Sequence, residues 1–448
     1  GAAGRAAIAR PGRRTYCAAA MTADILPDLA ARGLIADTTN AEELAAALAA
    51  GNVPNYAGHD PTAASLHVGH LVPIVIQRRL QLAGHTPIAV VGGATGMIGD
   101  PSGRSSERNL LDRDTLAANV AGIRAQLGRL LDFDAGSAAA KLVNNADWFT
   151  GVSFLEFLRD VGKHVTINYM LAKDSVKSRL EQRDSGLSYT EFSYMLLQAW
   201  DFVVLSRDHG CRLQIGGSDQ WGNITAGCEL SRRLGGPQLW GLTAPLLLDA
   251  SGQKMGKTST GERVWLDPDQ TTSYAFFQYF VNVEDAIAPS LLKKFSFRPL
   301  PELDEIIAEH DRDHAKRHCQ RELARDITRW IHGDAGLATA ERATAVMFGG
   351  SLADAKDADL AALAGVVGVT EIARGELEAG LGLIDLLVRA ELCASKGEAR
   401  RLITQGGVYV NNQRENAPDK KLDLSSMGTD SYVFLRSGKK NYRLLHVS

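Results

Sequence analysis

The sequence predicts an α/β protein built on a parallel sheet, followed by helical and small α+β modules. Three stretches carry that expectation. "HTPIAVVGGATG" (85–96) and "CRLQIGGSDQ" (211–220) are short apolar runs ending in glycines, the pattern of buried strands, and "TEFSYMLLQAWDFVVL" (190–205) is helical between them. Buried strands alternating with helices imply a parallel sheet, and in such sheets ligands sit beyond the carboxyl ends of the strands, where these glycine-rich turns fall.

Taken in order, "DLAARGLI" (28–35) and "AEELAAALAA" (41–50) read as amphipathic helices, the second closed by Gly51. "NYAGHDPTAASLHVGHL" (55–71) reads as an irregular segment giving way to an apolar helix. After about Pro268 the chain turns to helices rich in Ala, Arg and Glu, such as "HAKRHCQRELARDITRWIHG" (314–333), with no convincing strand. "SLADAKDADLAALAGVVGV" (351–369) is weakly patterned and reads as a linker. "LIDLLVRAELCASKGEARRLITQGGVYVNNQ" (383–413) reads as two short helices, a turn and a β-hairpin. The expected boundaries are therefore a tail at 1–20, the α/β domain at 21–268, a helical domain at 269–352, a linker at 353–380 and a small terminal domain at 381–448.

Length and composition narrow the function classes. At 448 residues the chain is long for one core. A net charge of −3 with 23% charged residues excludes a wholly basic nucleic-acid coat, so nucleic-acid contact must come from local patches. The ends are basic: residues 381–448 hold 11 Lys/Arg against 7 Asp/Glu. The five cysteines (Cys17, Cys211, Cys228, Cys319, Cys393) show no metal-ligand spacing and read as reduced thiols. No apolar run reaches the roughly 18 residues of a membrane span, so no membrane partner is expected. "GAAGRAAIARPGRRTYCAAAM" (1–21) is rich in Ala and Arg and free of acid, which resembles a mitochondrial or plastid transit-peptide remnant. A disordered tail on a protein of bacterial-type cytoplasm is the alternative.

"HVGH" (67–70) admits three readings. His67 and His70 at i, i+3 could ligate a metal, but no further His or Cys cluster completes a shell, so no protein metal site is expected. They could be a structural pair. Gly69 between them favours the third reading: a position without a side chain lets a nucleotide approach the helix start, where imidazole donors and the dipole face phosphate. "SGQKMGKTSTG" (251–261) places Lys254, Lys257 and Thr258 in a loop whose lysines can swing onto a polyphosphate.

The two stretches together resemble the paired HIGH and KMSKS signatures of class I aminoacyl-tRNA synthetases. "GGATGMIGDPSGRSSER", "NYMLAKDSV", "YTEFSYMLLQAWDF" and "LQIGGSDQWGNITAG" are similar, more specifically, to the bacterial and organellar tyrosyl-tRNA synthetases. The resemblance, which runs from about Asp24 to the C-terminus, implies a Rossmann-like catalytic domain, a helical anticodon-binding domain and an S4-like RNA-binding domain. It implies L-tyrosine, ATP with accompanying Mg2+, and tRNA(Tyr) as partners of a homodimer. By the same resemblance, Tyr56 and Asp201 hydrogen-bond the substrate phenol, Asp100, Tyr194 and Gln198 hold the ammonium, and Asn145, Gln214 and Gln220 complete the polar lining. Asp60, Gly69, His70, Gly217 and Asp219 surround adenine and ribose. Thr62 and His67 reach the γ-phosphate, and Arg104, Arg108, Lys254, Lys257 and Thr258 stabilise departing pyrophosphate. Arg389, Lys396, Arg400, Arg401, Lys439 and Lys440 are the candidate RNA contacts.

The family commonly has "YCGFDPTADSLHIGHL". Here Ala57, His59, Ala64 and Val68 replace Cys, Phe, Asp and Ile, and Arg104 stands where Lys is frequent. His59 is expected to perturb packing or to add a charge beside the adenine crevice. A rival reading is a non-catalytic RNA-binding protein on the same scaffold.

Overall fold

The computed structural model describes residues 24–102, 111–173, 187–258 and 261–448, with Val176, Lys177 and Leu180. The transit-peptide reading of the first 20 residues, and Arg104 and Arg108, lie outside the described residues.

The chain divides into two compact units. One comprises residues 24–267 with Val283–Asp326, the other Pro268–Asn282 with Ile327–Ser448. The first is built on a six-stranded sheet: β1 (Asp37–Thr38), β2 (Asn55–His59), β3 (Pro87–Val91), β4 (Lys141–Asn144), β5 (Leu213–Gly217) and β6 (Trp240–Ala244), in the order β1-β6-β5-β2-β3-β4. All neighbours are parallel except β1, which runs antiparallel to β6 at the edge. β3 and β6 are buried along their whole length, as strands covered on both faces must be. The chain winds from β2 outwards to β4 and then returns to place β5 on the other side of β2. Ligand crevices form at such a reversal, at the carboxyl ends of the strands.

The segment expected to be irregular is therefore partly a central strand. Asn55–His59 contains Asn and Gly and no β-branched residue, so its local preference is not for a strand; pairing with β3 and β5 on either side overrides it. It delivers Tyr56 and His59 to opposite faces of the sheet. The helix Tyr189–His209 starts at Ser188, whose hydroxyl accepts from the Glu191 N–H, and stops at Gly210 in the left-handed region (φ 66°). Its turns put Tyr194, Gln198 and Asp201 on one face.

Residues 283–326 pack into this same unit through a buried cationic clamp. Arg32 donates to the carbonyls of Lys293 (3.2 Å), Ser296 (3.2 Å) and Arg298 (2.8 Å), acceptors at and beyond the end of helix Ala288–Phe295. Arg79, 1% exposed, also donates to the Ser296 carbonyl, pairs with Asp28 (3.3 Å) and lies 5.1 Å from the Phe297 ring. Burial, and then repulsion from Arg32, pull its pKa down to about 9, against the pull of Asp28.

The second unit has its own core, including Leu383, Leu386, Leu387, Ile403, Val433 and Leu445. The two short helices and the hairpin expected from the sequence are Leu383–Arg389, Lys396–Thr404 and the strands Val408–Val410 and Gln413–Glu415. The hairpin turns through Asn411 and Asn412, both with positive φ. Residues 353–380, which read as a linker, instead carry three short helices, Asp357–Ala361, Ala364–Val367 and Arg374–Glu378, and a strand, Val369–Ile372, parallel to Asn441–Val447. Among the described residues no helix is long and apolar enough to cross a membrane.

Candidate active site

A cavity of about 550 Å³ opens at the carboxyl ends of β2, β3 and β5. It gathers Thr62, His67, Gly69, His70, Gly217, Asp219, Lys254 and Lys257 together with Tyr56, Asp60, Asp100, Asn145, Tyr194, Gln198, Asp201, Gln214 and Gln220. Of the described residues expected on the tyrosine and ATP sides, Thr258 alone does not line it. Its hydroxyl accepts from the Glu262 N–H (3.2 Å), closing the tip of the lysine loop.

At the inner end, Tyr56 is 1% exposed and stands edge-on to Phe202, with ring centroids 5.2 Å apart. Among the described residues its hydroxyl has no partner, and neither has Oε1 of Gln214, its register neighbour on β5. Asp201 is buried, and both of its oxygens accept: Oδ2 from Asn145 Nδ2 (3.1 Å) and Oδ1 from Trp148 Nε1 (2.8 Å). Desolvation raises its pKa to about 7, against the lowering by those two donors. Burial, and then the Asp201 charge, hold the Tyr56 phenol well above its ordinary value. This end of the cavity is an apolar pocket with a carboxylate and two unpartnered polar atoms, suited to a ligand bearing a ring and a hydroxyl.

Asn145 has a different task from simple lining. Its Oδ1 accepts from the Ala94 N–H (2.7 Å) and its Nδ2 donates to Thr95 Oγ1 (2.9 Å) as well as to Asp201, so it ties the β3 turn to the carboxylate. Trp148 was not among the residues expected from the sequence. It sits in a single-turn helix, Ala146–Phe149, and no local motif marks it.

Midway, Gln220 Nε2 donates to Asp100 Oδ2 (2.6 Å) and Gln198 Nε2 to Gln220 Oε1 (3.2 Å), while Asn223 braces both glutamines. Tyr194 donates its hydroxyl to Asp60 Oδ2 (2.8 Å), and Thr95 to Asp60 Oδ1 (2.7 Å). Asp60 thus links the two sides of the cavity. Gly92 is required there: a Cβ would meet Asp60 Oδ1 at 2.2 Å and Thr95 Oγ1 at 2.4 Å.

At the mouth, the two histidines cap one another's turn. His67 Nδ1 accepts from the Gly69 N–H (3.1 Å), and His70 Nδ1 accepts from the His67 N–H (3.1 Å). Burial and then Arg263 lower the His67 pKa to about 4; burial and then His67 hold His70 well below its ordinary value. Both rings are neutral at pH 7, and with Nδ1 accepting, each carries its proton on Nε2. Two neutral N–H donors therefore stand at the start of helix Leu71–Leu82. A Cβ at Gly69 would lie 2.9 Å from His67 Cε1, so the glycine accommodates the imidazole as well as any nucleotide.

His59 differs from the sequence expectation of an added charge. It is 4% exposed, and burial lowers its pKa to about 4, so it is neutral at pH 7; its Nε2 has no partner among the described residues. Lys254 Nζ pairs with Asp219 Oδ2 (3.2 Å). The lysine loop and the histidine turn are joined by backbone: the Val68 N–H donates to Val264 O, the Leu266 N–H to Leu66 O and the Val264 N–H to Gly256 O.

In the other unit, Arg389 is paired with Glu376 (2.6 Å) and Lys396 with Asp385 (2.5 Å), whereas Arg400, Arg401, Lys439 and Lys440 are exposed. The first two are thus partly neutralised.

Residues 49–349 match the family described as tRNA synthetases class I (W and Y), and residues 366–445 match the tyrosine–tRNA ligase SYY-like C-terminal domain. A tyrosine–tRNA ligase of Rhodopirellula baltica is 49% identical over 427 residues, covering 95% of this chain and 97% of that one. One of Opitutus terrae is 49% identical over 424 residues, covering 94% and 99%. The crystal structure of a C-terminally truncated Coccidioides posadasii mitochondrial tyrosyl-tRNA synthetase superposes with a TM-score of 0.63 at 34% identity, over 71% of this chain and 91% of that one. The chain belongs to the tyrosyl-tRNA synthetases of class I.

Proposed function

We propose that the cavity activates L-tyrosine with ATP to tyrosyl-adenylate and pyrophosphate, and that the chain then transfers tyrosine to the 3′-terminal adenosine of tRNA(Tyr). The observation that carries this reading is the pair of unpartnered buried atoms, Tyr56 Oη and Gln214 Oε1, beside Asp201. Buried polar groups ordinarily have partners, and a substrate phenol would supply them.

Asp201 and Tyr56 read the phenol; Asp100, Tyr194 and Gln198 hold the ammonium; Asp60, Gly217 and Asp219 place adenine and ribose. The tyrosine carboxylate attacks the α-phosphate, forming the new P–O bond as the bond to pyrophosphate breaks. No general base is needed, because the nucleophile is already ionised. The chain supplies position and charge: Nε2–H of His67 and His70, with Thr62, donate to phosphate oxygens, while Lys254 exchanges Asp219 for the leaving pyrophosphate together with Lys257, Arg104 and Arg108. Mg2+ enters with ATP. The exposed basic residues Arg400, Arg401, Lys439 and Lys440 contact RNA phosphates.

Tyrosine-dependent ATP–pyrophosphate exchange by the purified chain tests the reading; exchange at background would overturn it in favour of a non-catalytic RNA-binding protein. His70→Ala removes both a donor and the acceptor that caps the turn. It is expected to lower kcat for exchange by about 10²–10³, with a much smaller change in KM for tyrosine.

The active form is a homodimer. Phe154 (62% exposed), Leu155 (77%) and Ile167 (59%) are large apolar side chains that a lone chain would leave in water. Sedimentation of Leu155→Asp should show monomers where the unmodified chain shows dimers. The protein works in mitochondria, plastids or both, as the acid-free Arg/Ala-rich N-terminus suggests; a reporter carrying residues 1–21 that stays cytosolic would refute this.

A further inference from the structure

We infer that Asp285, His310 and His314 form a binding site for a divalent transition-metal ion of the zinc class, outside the cavity described above. The chemistry comes from two separate pieces of chain. His310 lies in helix Leu300–Arg312, His314 opens the short turn His314–Lys316, and Asp285 precedes helix Ala288–Phe295. His310 Nε2 is 3.2 Å from His314 Nδ1 and 3.8 Å from Asp285 Oδ1, and one ligand atom from each of the three residues falls within 4.8 Å of the others. Metal–nitrogen bonds of about 2.0–2.1 Å at tetrahedral angles hold ligand atoms about 3.3–3.5 Å apart. The His310–His314 and His310–Asp285 spacings each lie within about half an ångström of that separation.

The alternative is a plain hydrogen bond between the imidazoles. It accounts for the 3.2 Å contact but not for the carboxylate converging on the same nitrogen. Asp285 is itself held: Gln320, fully buried, donates from Nε2 to Asp285 Oδ1 (2.5 Å), as residues behind a metal ligand do. His310 is fully buried and fixes one donor, while Asp285 and His314 are exposed, which gives an ion access and leaves a fourth position for water. Two imidazoles and one carboxylate suit Zn2+, Co2+, Ni2+ or Cu2+ rather than Mg2+ or Ca2+. Nδ1 of His310 has no partner among the described residues, so the ring lacks the acceptor that usually raises a ligand histidine's affinity by about 10–100-fold. The expected affinity is accordingly micromolar rather than nanomolar. The ion would pin Asp285, close behind the point where the chain re-enters the sheet-bearing unit at Val283, to the end of helix Leu300–Arg312. Its role would be structural.

Calorimetric titration of Zn2+, and separately Mg2+, into the chelator-treated full chain tests this, with unfolding temperature as a second readout. One Zn2+ per chain should bind and raise the unfolding temperature, and Mg2+ should do neither there. His314→Ala and Asp285→Asn, both at exposed positions, should weaken Zn2+ at least tenfold and lose the thermal shift, while their metal-free unfolding temperatures and tyrosine-dependent exchange stay as in the unmodified chain. Gln320→Ala should weaken binding about tenfold. Absence of a Zn2+ site would overturn the inference. So would a site of unchanged affinity in His314→Ala, because the ion would then lie elsewhere, for example among His59, His67 and His70.

Discussion

Asp201→Ala should reduce kcat/KM for tyrosine in pyrophosphate exchange by at least roughly a hundredfold, the scale of losing about 3 kcal/mol from a charged hydrogen bond in a buried site. The substitution removes the acceptor for the substrate phenol and strands Asn145 Nδ2 and Trp148 Nε1. Tryptophan fluorescence during thermal unfolding would show whether the fold survives; an unchanged kcat/KM in a folded variant would mean that the phenol is read elsewhere. The same carboxylate sets a pH dependence. Its pKa is raised from 3.8 to about 7 by burial, so between those values the folded chain keeps a proton that the unfolded chain has already lost. The free protein therefore loses stability as pH rises through that window, and the loss is complete above about 7. Accepting a phenol proton requires the ionised form, so kcat/KM for tyrosine should rise with pH through about 7. Trp148→Phe deletes a donor that lowers this pKa, and the rise should move to higher pH.

Arg79→Ala should destabilise the sheet-bearing unit by about 3–5 kcal/mol, the usual scale for removing one partner of a buried charged cluster. It leaves Asp28 and the Ser296 carbonyl short of a donor and opens a void beside Phe297. The midpoint of urea unfolding, followed by tryptophan fluorescence, reads this directly. A loss below about 1 kcal/mol, typical of an exposed pair, would indicate that Arg32 alone holds the end of helix Ala288–Phe295. Arg79→Lys should recover little, because one ammonium cannot serve the carbonyl, the carboxylate and the ring together.

What could be read from the sequence divides along physical lines. β3 and β5 were legible because apolar runs ending in glycine announce buried strands, and helix Tyr189–His209 because residues 190–205 carry a helical pattern between them. β2 was not, because its strand conformation is imposed by neighbours 30 and more residues away in sequence. Val369–Ile372 escaped for the same reason: its partner, Asn441–Val447, is the last strand of the chain. At the site, the histidine and lysine signatures are contiguous and could be read, whereas Trp148 and the bracing role of Asn145 exist only as contacts between elements. The neutrality of His59 depends on burial, which no local pattern displays.

The backbone ties between Leu66–Val68 and Val264–Leu266 bear on how such enzymes can be recombined. The lysine loop is the far end of a ribbon whose near end carries His67, so the loop is not a cassette that can be exchanged alone. A chimera that imports residues 247–266 from a relative while retaining 66–70 would join two halves shaped in different contexts. Such hybrids should bind tyrosine normally, since the phenol pocket lies outside the ribbon, and fail in its activation. Importing both stretches together should restore turnover.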